Sequence, residues 1–171
     1  MEAFHYYGVQ VFRRRLRRDV VSQQQEMWVY EEGIMPAETN RQLVETFYKI
    51  MWNGWSEKTA RTILSNDIDF RGSIGLHVTG HEGFLGYMKT IRDAFPDFHN
   101  HIEEIITTDD RAVARLTYSG THQGALLGRA PTGRRVEYAG VAMFTMAADR
   151  ISKVWVLGDL WGLMQQIEGN Q

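Results

Sequence analysis

Asp159 is the residue whose neighbours point most directly to proton-transfer chemistry. It follows the apolar stretch Val154–Leu157 and stands between Trp155 and Trp161. Such surroundings desolvate a carboxylate and raise its pKa toward the range of a general base. The same position also suits an N-cap for an apolar helical stretch at Leu160–Ile167, where the carboxylate would accept backbone N–H bonds and stay ionised. His122, within Gly120-Thr-His-Gln-Gly124, falls where a strand meets a long loop, a place where pocket rims are built. It is read either as a donor or acid–base partner, or as a loop histidine bonded to backbone. Strand alternation puts Tyr118 on the His122 face and turns Arg115 to the other. Tyr118 is then an oxyanion donor, or a core tyrosine with its hydroxyl at the surface. Tyr48 and Trp52, one helical turn apart, together with Trp155 and Met143, are candidate pocket walls, although aromatic and Met side chains at such spacings are usually plain core.

Other chemistries find no support in the residue pattern. His99, His101 and Glu103 share a strand face, and His77 and His81 lie close in sequence, but no further ligand has metal-site spacing. No metal and no organic cofactor is expected. Zero cysteines removes disulfides, thiolate ligands and a thiol nucleophile together. There is no nucleophile elbow, and the glycines do not form a nucleotide-binding turn. A net charge of −2 gives no general attraction to nucleic acid or anionic lipid. No run of about 18 apolar residues spans a membrane, and the N-terminal stretch is not read as a secretory signal. The expected setting is cytoplasmic.

The elements that must hold these residues follow from periodicity. At 171 residues, 43% of them hydrophobic, the chain fits one domain with a substantial core. Residues 1–36 read as an extension of unknown role, with a basic run at Arg13–Arg18 taken as a solvated helix face and a glutamine run at Gln23–Gln25. The domain proper is placed at 37–171. Thr39 and Gln42 have capping-box spacing before Leu43, Val44, Phe47, Tyr48, Ile50 and Met51, a helix that Asn53-Gly54 would end with a left-handed residue. A short helix over 56–64 closes at Asn66-Asp67, and 67–78 is extended or irregular. Thr79 and Glu82 repeat the capping spacing before a third helix, which Pro96 terminates. Beyond Pro96 the period drops to two. Four strands follow as a meander, the long loop 123–134 interrupts them, and a last helical turn closes the chain. Helices gathered ahead of an antiparallel meander bury their apolar sides on one sheet face, and a strongly twisted sheet around a helix leaves a cone with an apolar interior.

Four stretches carry a family likeness. They are Leu43-Val-Glu-Thr-Phe-Tyr-Lys-Ile-Met-Trp-Asn-Gly54; Gly80-His-Glu-Gly-Phe84 with Ala94-Phe-Pro-Asp-Phe98; Gly120-Thr-His-Gln-Gly124 with Leu127-Gly-Arg-Ala-Pro-Thr-Gly-Arg-Arg-Val136; and Arg150-Ile-Ser-Lys-Val-Trp155 with Gly158-Asp-Leu-Trp-Gly-Leu-Met-Gln-Gln166. In this order, over about residues 40–168, the sequence resembles the SnoaL-like polyketide (ester) cyclases. The resemblance implies the NTF2-like cone-shaped α+β barrel, with helices packed in a curved, mostly antiparallel sheet, commonly as a homodimer with one buried pocket per subunit. It further implies cofactor-free proton transfer, cyclisation or isomerisation, on an apolar carbonyl compound. The aspartate and histidine that such cyclases carry on the last two strands align near Val156 and Ala142, whereas the acid of Gly158-Asp159-Leu160 is present. On this reading Asp159 is the base, His122 and Tyr118 are donors, and Trp155, Trp52 and Tyr48 are walls. Two alternatives stand beside it: a non-catalytic ligand-binding or dimerisation module on the same fold, and a limonene-epoxide-hydrolase-type enzyme, which would need an Asp-Arg-Asp cluster.

Overall fold

A computed structural model describes residues 3–6, 9–12 and 36–170. The chain divides into two compact units, Met1–Gly33 and Ile34–Gln171. The first contains an antiparallel hairpin of β1 (Ala3–Tyr6) and β2 (Val9–Phe12), and the runs Arg13–Arg18 and Gln23–Gln25 lie outside the described residues. The second unit begins with α1 (Pro36–Thr46), which continues into a π turn at Phe47–Trp52. Then come α2 (Glu57–Ile63), β3 (Leu64–Arg71), β4 (His77–Thr79) and α3 (Gly80–Ala94). The chain ends with β5 (His99–Thr107), β6 (Arg111–Thr121), β7 (Arg135–Ala147), β8 (Arg150–Gly158) and α4 (Leu160–Glu168).

Strands β3 to β8 form one curved, open sheet in the order β4-β3-β8-β7-β6-β5. The expected meander is its larger part, β5 to β8 paired antiparallel. The segment read as irregular supplies the rest, with β3 joining β8 in parallel and β4 joining β3. Asn66 and Asp67, taken as the close of α2, instead lie in β3, where the pairing slips between Leu64 and Asp69. A bulge gives such turn-forming residues an exposed, unpaired place within a strand. The capping expectations also change. Helix α1 starts at Pro36, whose fixed φ suits a first turn. Thr79 makes no capping hydrogen bond, and Glu82, the proposed partner in the box, pairs with Arg61 at 2.7 Å.

At the end of the first helix the left-handed residue is Trp55 (φ 51), while Asn53 stays right-handed (φ −70). The reason is a tertiary contact. Asn53 Nδ2 donates to Asn100 O at 3.0 Å, and its Oδ1 accepts from Asn100 N at 2.8 Å and from Asn100 Nδ2 at 2.9 Å. The side-chain amide thus continues the ladder past the edge strand β5, satisfying backbone groups that an edge leaves open. Satisfying them fixes Asn53 and pushes the reversal two residues on. The π turn keeps Phe47, Tyr48, Met51 and Trp52 all buried.

Even-numbered residues of β6 and β7 (Ala112, Ala114, Leu116 and Tyr118; Val136, Tyr138, Ala142 and Phe144) face the helices and are buried. Phe47 meets Phe144 edge-on at 5.3 Å, and Phe70 meets Phe84 at 4.9 Å, the quadrupole-favoured arrangement. Gly140 occupies the same inward row. A Cβ there would overlap the ring of Tyr118, and one at Gly72 would overlap the ring of Tyr87.

The loop between β6 and β7 is tied down at His122, which is fully buried. His122 N donates to Arg134 O at 2.8 Å, and His122 O accepts from Gly133 N at 2.8 Å. Its Nδ1 pairs with Thr132 Oγ1 at 3.1 Å, and Nε2 has no partner. Gln123 N and Gly124 N both donate to Ala94 O, at 2.9 and 3.0 Å, which fastens the loop to the end of α3.

Two outcomes follow from this packing. Gly140→Ala is expected to cost about 1–3 kcal/mol in urea unfolding, the range for an overpacked core, and distinctly less when Tyr118 is also changed to Leu; equal costs in the two backgrounds would mean that the ring is not the obstacle. Burial lowers the His122 pKa below its ordinary value, so the unfolded chain takes up this proton first, near pH 6.5. Stability from this residue is therefore present above about pH 6.5 and declines as pH falls through the lowered folded value. Thermal melts from pH 8 to 5 should fall more steeply for the wild type than for His122→Asn, and parallel curves would refute the assignment.

Candidate functional site

The inner face of the sheet and the helices above it enclose a cavity of about 30 Å³, with Trp52, Phe70, Tyr87, Phe98, Tyr118 and Val156 in its wall. That is room for about one water, so the cone expected to be hollow is largely closed by aromatic rings. Polarity enters at four wall positions: Tyr87, Tyr118, Ser73 and Asn100. Tyr118 stacks on Phe98, with centroids 5.7 Å apart and planes 23° from parallel, and lies 5.1 Å from Tyr138. Tyr48 is buried beside Phe144, and its hydroxyl has no hydrogen-bond partner.

Burial pushes all four phenols above the ordinary tyrosine range. For Tyr48 the neighbouring Tyr118 adds to the effect, and for Tyr138 Tyr118 and Tyr87 do so. For Tyr118, Tyr87 adds and Tyr48 opposes. For Tyr87, Ser73 opposes. These phenols are neutral donors at any physiological pH, suited to holding a carbonyl or enol oxygen.

The proton-accepting side of a catalytic pair is a different matter. Ala142 and Val156 are directly paired between β7 and β8, both buried on the inner face. The buried polar or charged residues among those described are Asn40, Asn100 and His122, so none of the described carboxylates is buried. Asp159 is exposed; its Oδ1 accepts from Gly162 N at 2.8 Å, and it caps α4. His122 lies further along the inward row of β6 than Tyr118, with Phe95 at 5.5 Å from its ring and Phe98 6.0 Å beyond Phe95.

Of the residues singled out in the sequence, Tyr118 and Trp52 come together at the cavity, and Tyr48 packs behind it. Trp155 and Met143 are cross-strand partners on the outer face, because they alternate with Ala142 and Phe144 of β7 and with Val154 and Val156 of β8, which point in. Met143 is 52% exposed, and Trp155 carries the Arg71 guanidinium 5.4 Å above its ring. Val141-Ala-Met-Phe144 is apolar on both faces, so hydrophobicity alone cannot phase that strand. Sequence reading missed Tyr87, Tyr138, Ser73 and Asn100. The available signal was glycine, since Gly72 and Gly140 stand where rings need space.

Among the described residues no three His, Asp or Glu side chains group as metal ligands. His99, His101 and Glu103 are all exposed, and Glu103 accepts from Thr117 Oγ1 at 2.6 Å. No described helix is long and apolar enough to cross a membrane.

Comparison with known proteins places this geometry. The sequence profile of the SnoaL-like polyketide cyclases matches residues 42–167. No curated protein matches the chain. Among solved structures, a candidate SnoaL-like polyketide cyclase from Jannaschia sp. CCS1 superposes with a TM-score of 0.72 at 20% identity, covering 81% of this chain and 97% of that one. IdmH, a candidate polyketide cyclase from Streptomyces antibioticus, gives 0.65 at 26% identity over 75% and 97%. AclR, a candidate hydroxylase from Streptomyces galilaeus, gives 0.65 at 26% over 78% and 82%. The fold is the NTF2-like α+β cone, and the chain belongs to the SnoaL-like polyketide cyclase family.

Proposed function

We propose that this protein binds an apolar, carbonyl-bearing small molecule inside the cone and is a binding member of its family rather than a cyclising one. The observation that carries the reading is the Ala142–Val156 pair: an apolar cross-strand contact fills the place where the family resemblance leads one to expect a histidine and an aspartate. The phenols of Tyr118 and Tyr87 supply donors to a ligand oxygen, and Trp52 and Phe98 supply flat apolar walls. A drug-sized ligand needs several hundred Å³, so entry displaces wall rings. Trp52 is the wall residue that adjoins an irregular stretch of backbone. It ends a π turn and is followed by a left-handed, non-glycine residue, Trp55, both features that concentrate at functional sites.

One observation favours a second reading, proton transfer on the same kind of compound. His122 has a buried, unpartnered Nε2, and an imidazole held neutral by burial is able to take a proton. In that reading loop 123–134 must open and Asp159 must leave its cap. A water-activating acid cluster of the epoxide-hydrolase kind finds no buried carboxylate among the described residues to build on.

The same proposal includes pairing of two copies through the outer sheet face. Met143 and Leu157 are each 52% exposed there, with Trp155, on the same strand as Leu157, paired opposite Met143, an apolar surface that water disfavours.

Fluorescence titration with a planar aromatic ketone tests the binding reading. Tyr118→Phe should weaken binding by about five- to tenfold, one lost hydrogen bond of roughly 1 kcal/mol. Asp159→Ala should leave binding unchanged while lowering stability by about 1 kcal/mol through the lost cap. No saturable binding by the wild type would end the reading, and loss of a measured turnover in Asp159→Asn would replace it with the catalytic one. Light scattering should report a dimer for the wild type and a monomer for Met143→Glu; a monomeric wild type removes the pairing.

A further inference from the structure

We infer that loop 123–134 is a latch released by acid: the neutral ring of His122 holds it shut, and a second proton on that ring lets it swing out. The latch goes beyond the binding reading and does not depend on it. His122 is fully buried, whereas most of the loop it anchors is exposed, with Leu126 as its buried residue. At the base of the loop His122 N donates to Arg134 O, and His122 O accepts from Gly133 N and Thr132 N. The side chain adds the contact that can be switched, Nδ1 with Thr132 Oγ1 at 3.1 Å. Nearer the tip the Arg129–Glu168 ion pair, at 2.6 Å, ties the loop to α4. Leu127 at the tip has φ 46 and is 48% exposed, a left-handed conformation that costs a non-glycine residue energy and is relieved when the loop opens.

One proton decides between the two states. A neutral imidazole carries a single N–H. Here Nδ1 has Thr132 as its partner, while Nε2 is buried without one, in a ring whose centroid lies 5.5 Å from that of Phe95. A charged imidazole has an N–H on both nitrogens, so the closed loop would bury a donor and a positive charge unpaired. The charged groups around this corner do not compensate. Asp97 accepts from Thr121 N and Oγ1 at 2.6 and 2.7 Å and lies 3.9 Å from Arg135. Asp93, at the end of α3, pairs with Lys89, and Glu168 of α4 is taken by Arg129. Arg134 and Arg135 follow the loop with positive charge, which opposes a further cation. Burial accordingly holds the His122 pKa below its ordinary value. In the open loop the ring meets water and ionises near pH 6.5. The closed state is therefore favoured above about pH 6.5 and loses ground as pH falls toward the lowered closed value.

Hydrogen exchange of the full chain, read by mass spectrometry and corrected for the intrinsic pH dependence of amide exchange, tests the latch. Peptides over 122–134 are expected to exchange by local opening, indifferent to about 1 M urea, while those from the middle of β7 exchange more slowly and respond to it. Between pH 7.5 and 5.5 loop protection should fall several-fold, with a ceiling of about tenfold set by one pH unit below the ordinary histidine value. His122→Asn should abolish that pH dependence. Thr132→Val, a change at an exposed loop residue, should lower loop protection already at pH 7.5 and leave β7 as it was. Exchange of loop and sheet at one common rate, loop protection constant with pH, or a Thr132→Val loop as protected as the wild type overturns the latch, and so does an undiminished pH dependence in His122→Asn. Should His122→Asn fail to fold, the wild-type and Thr132→Val outcomes decide alone.

Discussion

The inner face of this sheet depends on an exchange between rings and missing side chains. Tyr118 lies flat along β7 because Gly140 leaves no Cβ in its path, and Tyr87 descends from α3 because Gly72 leaves none in its path. Large residues packed against small ones let two layers approach closely at native density. Without those two vacancies the helix layer would stand further from the strands, and Phe98, which stacks on Tyr118, would lose its support. The remaining rings, from Phe47 to Trp52, hang on the same frame. This constraint also decides what the cavity is made of. Phenols that seat on glycines present their edges and hydroxyls to a small space, and that space is consequently donor-lined and uncharged.

Much of this architecture is legible in the sequence because periodicity and burial agree along it. The change from a helical to a two-residue period after Pro96 marks the meander, and β5 to β8 follow it closely. The places where reading failed share one physical feature, a contact distant in sequence overriding a local preference. Asn53 reads as the left-handed end of a helix, yet Asn100, at the edge of the sheet, holds its amide and moves the reversal to Trp55. Glu82 reads as a capping partner for Thr79, yet Arg61 claims it. Asn66-Asp67 reads as a stop, yet a bulge absorbs it within β3. No local pattern in a single sequence reveals these partners.

The site was less legible than the fold, for a reason specific to curved sheets. A strand with apolar residues on both faces, such as Val141–Phe144, gives no clue to which face lines the cone, so Met143 and Trp155 look as eligible as Ala142 and Val156. Asp159 attracted attention through its aromatic neighbours, but adjacency along the chain is not enclosure. The turn between β8 and α4 carries it to the surface, where Gly162 N donates to its Oδ1. Tyr118 reaches the cavity wall because β6 alternates cleanly between buried and open positions.

Fold and chemistry separate at this point. The scaffold is the NTF2-like cone, and of two solved structures matched at 26% identity AclR is a candidate hydroxylase while IdmH is a candidate cyclase. The fold therefore fixes a cone and not a reaction. Ala142 and Val156, paired and buried on the inner face, place no charge there, and the polarity of the cavity wall comes largely from phenols that burial keeps protonated. On the proposed reading, such a lining offers hydrogen-bond donors to a neutral oxygen at neutral pH. On that reading the apolar Ala142–Val156 contact and the donor-lined wall act together, and both favour holding a ligand over transforming it.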